Sequence, residues 1–188
     1  MVVNKKIFKF FLILAIFLGY IENSFSIEPK KFVQSTVDKA SMALNINFSK
    51  EEKIKKLKTI AKETVDIRGI GLYSLGSHRK DLNDSQKKEY SSLFEQYFLK
   101  SFSSRLSEYT DPKIEVKSQE KLNKNYTIVS SILIATEKRP EIKIDWRIYT
   151  KDPNKPLIRD LIVEGLSLAR TQKEEFSSIL SSNNNDIK

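Results

Sequence analysis

Ile142-Lys143-Ile144-Asp145-Trp146-Arg147-Ile148-Tyr149 is the stretch on which the fold turns. Ile142, Ile144, Trp146 and Ile148 alternate with Lys143, Asp145, Arg147 and Tyr149. A period of two is that of a strand with one face on a core and the other toward water. Downstream, Asp152-Pro153-Asn154-Lys155-Pro156 reads as a turn, and Leu157 to Val163 returns as a second strand. Upstream, Tyr126 to Ala135 is apolar or neutral on both faces, and Ile114 and Val116 alternate with charged residues. These four segments predict an antiparallel meander of about four strands.

Ahead of the meander the period lengthens to that of helices. Pro29 suits a helix's first turn, and Val33, Val37, Ala40 and Leu44 follow at helical spacing. Ser49 with Glu52 three residues on is a capping box, opening a helix whose apolar face is Ile54, Leu57, Ile60 and Ala61. Asp66 to Gly76, with Ile67, Ile70, Leu72 and Leu75 apolar, predicts a short helix that stops near Gly76. The strongest helix signal covers Asp84 to Leu106, capped by Asn83 with Gln86 as its reciprocal partner. Tyr90, Leu93, Phe94, Tyr97, Phe98, Phe102 and Leu106 make a wide, mostly aromatic stripe along it. A closing helix over Thr171 to Leu180 presents Phe176, Ile179 and Leu180, before a polar tail from Ser181 to Lys188. Helices followed by strands predict an α+β domain, its helices covering one face of the sheet.

The first residues read as an export signal. Lys5, Lys6 and Lys9 precede an apolar run from Phe10 to Ile21, and Ser24-Phe25-Ser26 places small residues at a cleavage site after Ser26. The run is about 12 residues, against the roughly 20 of a spanning helix, which disfavours an uncleaved anchor. The expected organisation is therefore a signal peptide over 1–26 and a single domain over 27–188. With no Cys, that domain has neither a disulfide framework nor a lipid-modified Cys at its start. Cleavage would lower the formal charge of +9 to about +7. Such a balance suits anionic headgroups, or is simply that of a Lys- and Asn-rich composition. Basic runs interleaved with aromatics are lacking, so nucleic acid is not an expected partner.

Side chains for chemistry are sparse. His78 is the only His, in a polar turn between Gly76 and Asp81, and is expected to face solvent. A zinc site or a Ser-His-Asp triad lacks its usual parts. Gly69, Gly71 and Gly76 match no phosphate-loop fingerprint. Asp145, Asp160 and Glu164 are carboxylates on or near neighbouring strands, better read as exposed strand positions or as partners of Arg147 and Arg159 than as a catalytic pair. No cofactor is expected, and an enzyme is not. An aromatic stripe facing an Ile-rich sheet is the pattern of a filled core as well as of a ligand cavity.

The second half of the chain resembles the MlaC (toluene-tolerance auxiliary) family of periplasmic phospholipid-binding proteins. The residues that carry the resemblance are Asp145 to Tyr149, Asp160-Leu161-Ile162-Val163-Glu164-Gly165-Leu166-Ser167-Leu168, Thr171 to Phe176, and Ile179-Leu180. Val65-Asp66, Leu75-Gly76, Gln86, Phe94 and Tyr109 fall in place upstream, so the likeness spans roughly residues 30 to 180. It implies a periplasmic carrier of glycerophospholipid, moving between an outer-membrane lipoprotein complex and an inner-membrane ABC transporter complex. The acyl chains would sit between sheet and helices, with the headgroup near solvent. The family pattern continues with a further apolar helical segment where this sequence reads Ser181 to Lys188, so no docking or pocket-closing role of that segment is carried over. Periodicity and resemblance together predict a lining of Leu72, Leu75, Phe94, Tyr97, Phe98, Ile132, Ile144, Trp146, Ile148 and Val163. The rival readings are an interaction module with a filled core and a hydrolase of lipid esters.

Overall fold

The structure, a computed structural model, describes residues 26–137 and 139–184. The expected signal peptide, Ser26 apart, and the last four residues of the tail lie outside them. Helices α1 (Pro29–Ala43), α2 (Lys50–Thr64), α3 (Ile67–Ser74) and α4 (Asp84–Leu106) come first, with a 3-10 turn at His78–Lys80 between α3 and α4. Strands β1 (Ile114–Asn123), β2 (Tyr126–Leu133), β3 (Ile142–Tyr149), β4 (Leu157–Val163) and β5 (Leu166–Ser167) follow, and α5 (Leu168–Ser182) closes the chain. The strands form one antiparallel sheet in sequence order, so the fold is α+β with helices ahead of a meander.

Local chemistry accounts for most boundaries. Ser49 and Glu52 form a reciprocal capping box at α2, and Asn83 and Gln86 form another at α4. Asp66 caps α3 by accepting from the Gly69 N–H at 2.9 Å. Three boundaries differ from the sequence reading. β2 ends at Leu133 rather than Ala135, because a Thr136–Arg139 bridge turns the chain toward β3. Between β4 and the unforeseen β5, Glu164 and Gly165 both take positive φ, 49° and 83°, as a two-residue type I′ turn requires. α5 then starts at Leu168 instead of Thr171, since the Ser167 hydroxyl accepts from the Arg170 N–H and caps it at once.

The helices do not cover the sheet evenly. α1 lies on β1 and β2, while α3 and α5 meet β4. α4 packs chiefly on α2 and α3. Under the first half of α1 the layers are in contact: Val33 and Val37 meet Val129, Trp146, Ile148 and Ile158 in a packed core. Beside α4 a second cluster joins Ala61, Ile67, Ile70, Phe94 and Leu99. Gly71 permits this close approach. A Cβ there would stand 2.7 Å from a Phe94 ring carbon, well inside contact distance. The predicted stripe on α4 needs one correction: Leu93 is 58 % exposed, and Leu99 is buried instead. Leu99 belongs to the row that rests on α2 and α3, which the stripe did not include.

Candidate functional site

Where α4 faces the sheet, a cavity of about 450 Å³ separates the two layers. Its floor is made by Leu133 of β2, Ile142, Ile144 and Trp146 of β3, and Leu161 and Val163 of β4. Its roof is Phe94, Tyr97, Phe98, Phe102 and Leu106 of α4. The roof is a stack. Phe98 and Phe102 lie nearly parallel with ring centroids 5.4 Å apart, and Phe94 continues the row 6.3 Å from Phe98. Thr36 and Thr64 also line the cavity, but their hydroxyls donate to the Phe32 and Ile60 carbonyls one turn back. The walls are thus apolar even where the residue type is not.

Trp146 joins the cavity to the filled core. Its indole N–H donates to the Ser131 hydroxyl at 2.8 Å, and that hydroxyl donates in turn to the Ile144 carbonyl at 3.1 Å. Ser131 is fully buried, and this chain of bonds lets its polar atom sit in an apolar floor without cost.

The mouth is a slot between α4 and α5. Tyr97, Ser101 and Arg105 follow each other at four-residue spacing along α4, and Tyr109 continues the row just past its end. Leu168, Thr171, Gln172 and Glu175 face the same cavity from α5. The exposed lining residues, Tyr97, Arg105, Tyr109, Leu168 and Glu175, all belong to these two rows. At one end the slot is bridged: the Tyr97 hydroxyl donates to Gln172 Oε1 at 3.3 Å, and its ring lies 5.9 Å from that of Phe176.

Six of the ten residues named from sequence, Phe94, Tyr97, Phe98, Ile144, Trp146 and Val163, line this cavity. The other four do not. Ile132 is on the wrong face of β2: Val129 and Ser131 pair with Trp146 and Ile144, which makes the odd-numbered residues inward and puts Leu133 in the floor. Ile148 faces inward but lies in the filled core beneath α1. Leu72 on α3 and Leu75 at its C-cap do not line the cavity, where Ile70 of α3 does. Phe102 and Leu106 were on the predicted stripe and belong to the roof. Tyr109 and Leu133 carried no periodic signal that singled them out.

The family model described as MlaC protein matches residues 31–187. The chain belongs to the MlaC family. Its fold is also that of a solved structure, a phospholipid-binding protein from Ralstonia solanacearum in complex with a phospholipid. That match has a TM-score of 0.70 at 15 % sequence identity, over 84 % of this chain and 90 % of that one.

In this MlaC-family chain the three carboxylates considered for chemistry are each engaged separately. Asp160, only 3 % exposed, accepts from the Ser167 hydroxyl at 2.6 Å and the Ala169 N–H at 3.0 Å, and lies 3.4 Å from Arg147. It thereby pins the start of α5 to β4. Asp145 accepts from Ser130 at 2.6 Å and pairs with the Lys143 side chain, whereas Glu164, in the β4–β5 turn, accepts the Lys143 backbone N–H of β3. Of the two arginines considered as partners, Arg147 pairs with Asp160, while Arg159 pairs with none of the three carboxylates but with Asp66, at 2.6 Å, and also donates to the Tyr126 hydroxyl. A bulge in β4 opposite Arg147 and Ile148 leaves Arg159 without a partner in the register, while Asp160 is paired with Arg147. His78 is half-buried in its 3-10 turn and does not line the cavity. Among the described residues no cluster of His, Cys, Asp and Glu fits a metal ion, and no helix is long and apolar enough to cross a membrane.

Proposed function

We propose that this protein is a periplasmic carrier that holds glycerophospholipid by its acyl chains and exchanges it with membrane complexes. The outer-membrane lipoprotein complex and the inner-membrane ABC transporter complex implied by the family resemblance are the proposed partners. One observation carries the reading: an apolar cavity roofed by stacked aromatics and floored by aliphatic strands, with its exposed lining residues on α4, α5 and the turn after α4. Burying a methylene is worth about 0.8 kcal/mol, so two chains with about 30 carbons hide roughly 24 kcal/mol of unfavourable hydration. A lipid crosses water at a useful rate only inside such a compartment. The cavity must come close to the membrane's own environment without far exceeding it, and a partner must bind an open form better than a closed one for release.

Ile144 is the residue on which to test this, being in the middle of the floor and only partly buried. Ile144→Trp fills the cavity. Native mass spectrometry of protein purified from a bacterial periplasm without detergent should show phospholipid adducts on the wild type and their loss in the variant. Circular dichroism should show both folded. A wild type free of lipid, and unable to take it from liposomes, would favour an interaction module and sink the carrier reading.

A further inference from the structure

The two ends of the slot differ in charge. Among the described lining residues Arg105 is the only cation, and Asp160 and Glu175 are the only carboxylates. Asp160 is committed to Arg147, Ser167 and Ala169. Glu175 accepts the Gln172 amide at 3.1 Å, which ties it to the bridged, Tyr97 end of the slot. Arg105 stands toward the opposite end, one turn before Tyr109.

A second guanidinium reaches the same place from the β2–β3 loop. Arg139 lies over the Tyr109 ring, 5.5 Å from its centroid, and its Nη2 donates to the Ile134 carbonyl at 3.1 Å. Its Nε is buried and has no hydrogen-bond partner. Among the described residues neither Arg105 nor Arg139 has a carboxylate in ion-pair range, whereas Arg147 and Arg159 do. A guanidinium presents five donors in a planar fork, and a buried donor left unmet is costly. With Arg105 in the lining and Arg139 over the neighbouring Tyr109, two such forks suit an oxyanion with several acceptor oxygens.

We propose that Arg105 and Arg139, brought together at Tyr109, form a phosphate-binding subsite at the mouth. It rests on the carrier reading and adds an orientation to it. The phosphate stands at Tyr109, and the chains run inward beneath Phe102 and Phe98 toward Trp146. Phosphate-bearing lipids are then held better than lipids with the same chains and no phosphate.

The test offers the purified protein vesicles with equal amounts of dioleoyl phosphatidic acid and dioleoylglycerol. Mass spectrometry counts what is taken up. Comparing variant with wild type cancels the cost of leaving the vesicle. Arg105→Gln should lower the ratio of phosphatidic acid to diacylglycerol about tenfold, as loss of a charge-assisted contact does. Arg105→Lys should keep most of the preference, and Arg139→Gln should lower it independently. Because Arg105 is exposed, its substitution tests the subsite even if Arg139→Gln disturbs its loop. An unchanged ratio in a folded, lipid-loaded Arg105→Gln protein overturns the lipid orientation and leaves the carrier reading standing, whereas a wild type that takes up neither lipid overturns both. Inorganic phosphate titrated into delipidated protein separates the two sources of the anion. Binding that Arg105→Gln abolishes, with the lipid ratio unmoved, would assign the subsite to free phosphate and overturn the lipid orientation.

Discussion

Ile144 and Ile148 stand on the same face of the same strand and meet different surroundings. Ile148 is fully buried against Val33, Val37 and Val129 beneath α1, whereas Ile144 packs only at the edge of that cluster and looks into the cavity beneath α4. Nothing in the alternation of β3 separates them. The difference lies in the layer above. α1 rests directly on the sheet through small β-branched side chains, while α4 rests on α2 and α3 and presents bulky rings over a gap. The packing of one sheet face is therefore set by what supports each helix, and a cavity can adjoin a close-packed core without any change in strand sequence.

The largest expected effect is at the filled end. Ile148→Ala should cost about 3–4 kcal/mol in urea-induced unfolding, since a rigid core relaxes little around lost methylenes. Ile144→Ala should cost about 1 kcal/mol or less, because its far side already lacks neighbours. Equal costs at the two sites would mean that the two regions are packed alike, and would break the comparison.

Gly71→Ala sharpens it by attacking the support of α4. The added methyl must displace the Phe94 ring, so a cost of about 1–3 kcal/mol is expected from overpacking. Lipid loading should change with it, as the roof shifts relative to the floor. A stability loss with unchanged loading would show that the α3–α4 contact does not set the height of the roof. The smallest effect belongs to Leu93, on the outward side of α4. Leu93→Ser should alter thermal unfolding by no more than about 0.5 kcal/mol, in keeping with a surface change. A larger loss would place Leu93 in a contact that the fold does not contain.

Much of this architecture is legible in the residues themselves. The two capping boxes placed α2 and α4 to the residue, and the alternation of Ile142 to Tyr149 placed β3 and its inward face. Those signals are local: a cap spans three residues, and a strand's alternation is complete within its own length. β2 was different. With apolar or neutral residues on both faces its parity was not readable, and the choice of Ile132 over Leu133 came out wrong. Register decided it, through pairing of Ser131 with Ile144 across the β2–β3 loop.

The sequence by itself determined the α+β class, the order of the elements and the aromatic character of α4, because caps, turns and periodicities act over a few residues. Only the tertiary structure decided that the aromatic face meets a space rather than the sheet. That outcome depends on Phe94 settling on Gly71, on α2 and α3 carrying α4, and on Asp160 pinning α5 beside the slot. Each of these contacts joins different elements of the chain, and no local pattern encodes the distance at which they come to rest.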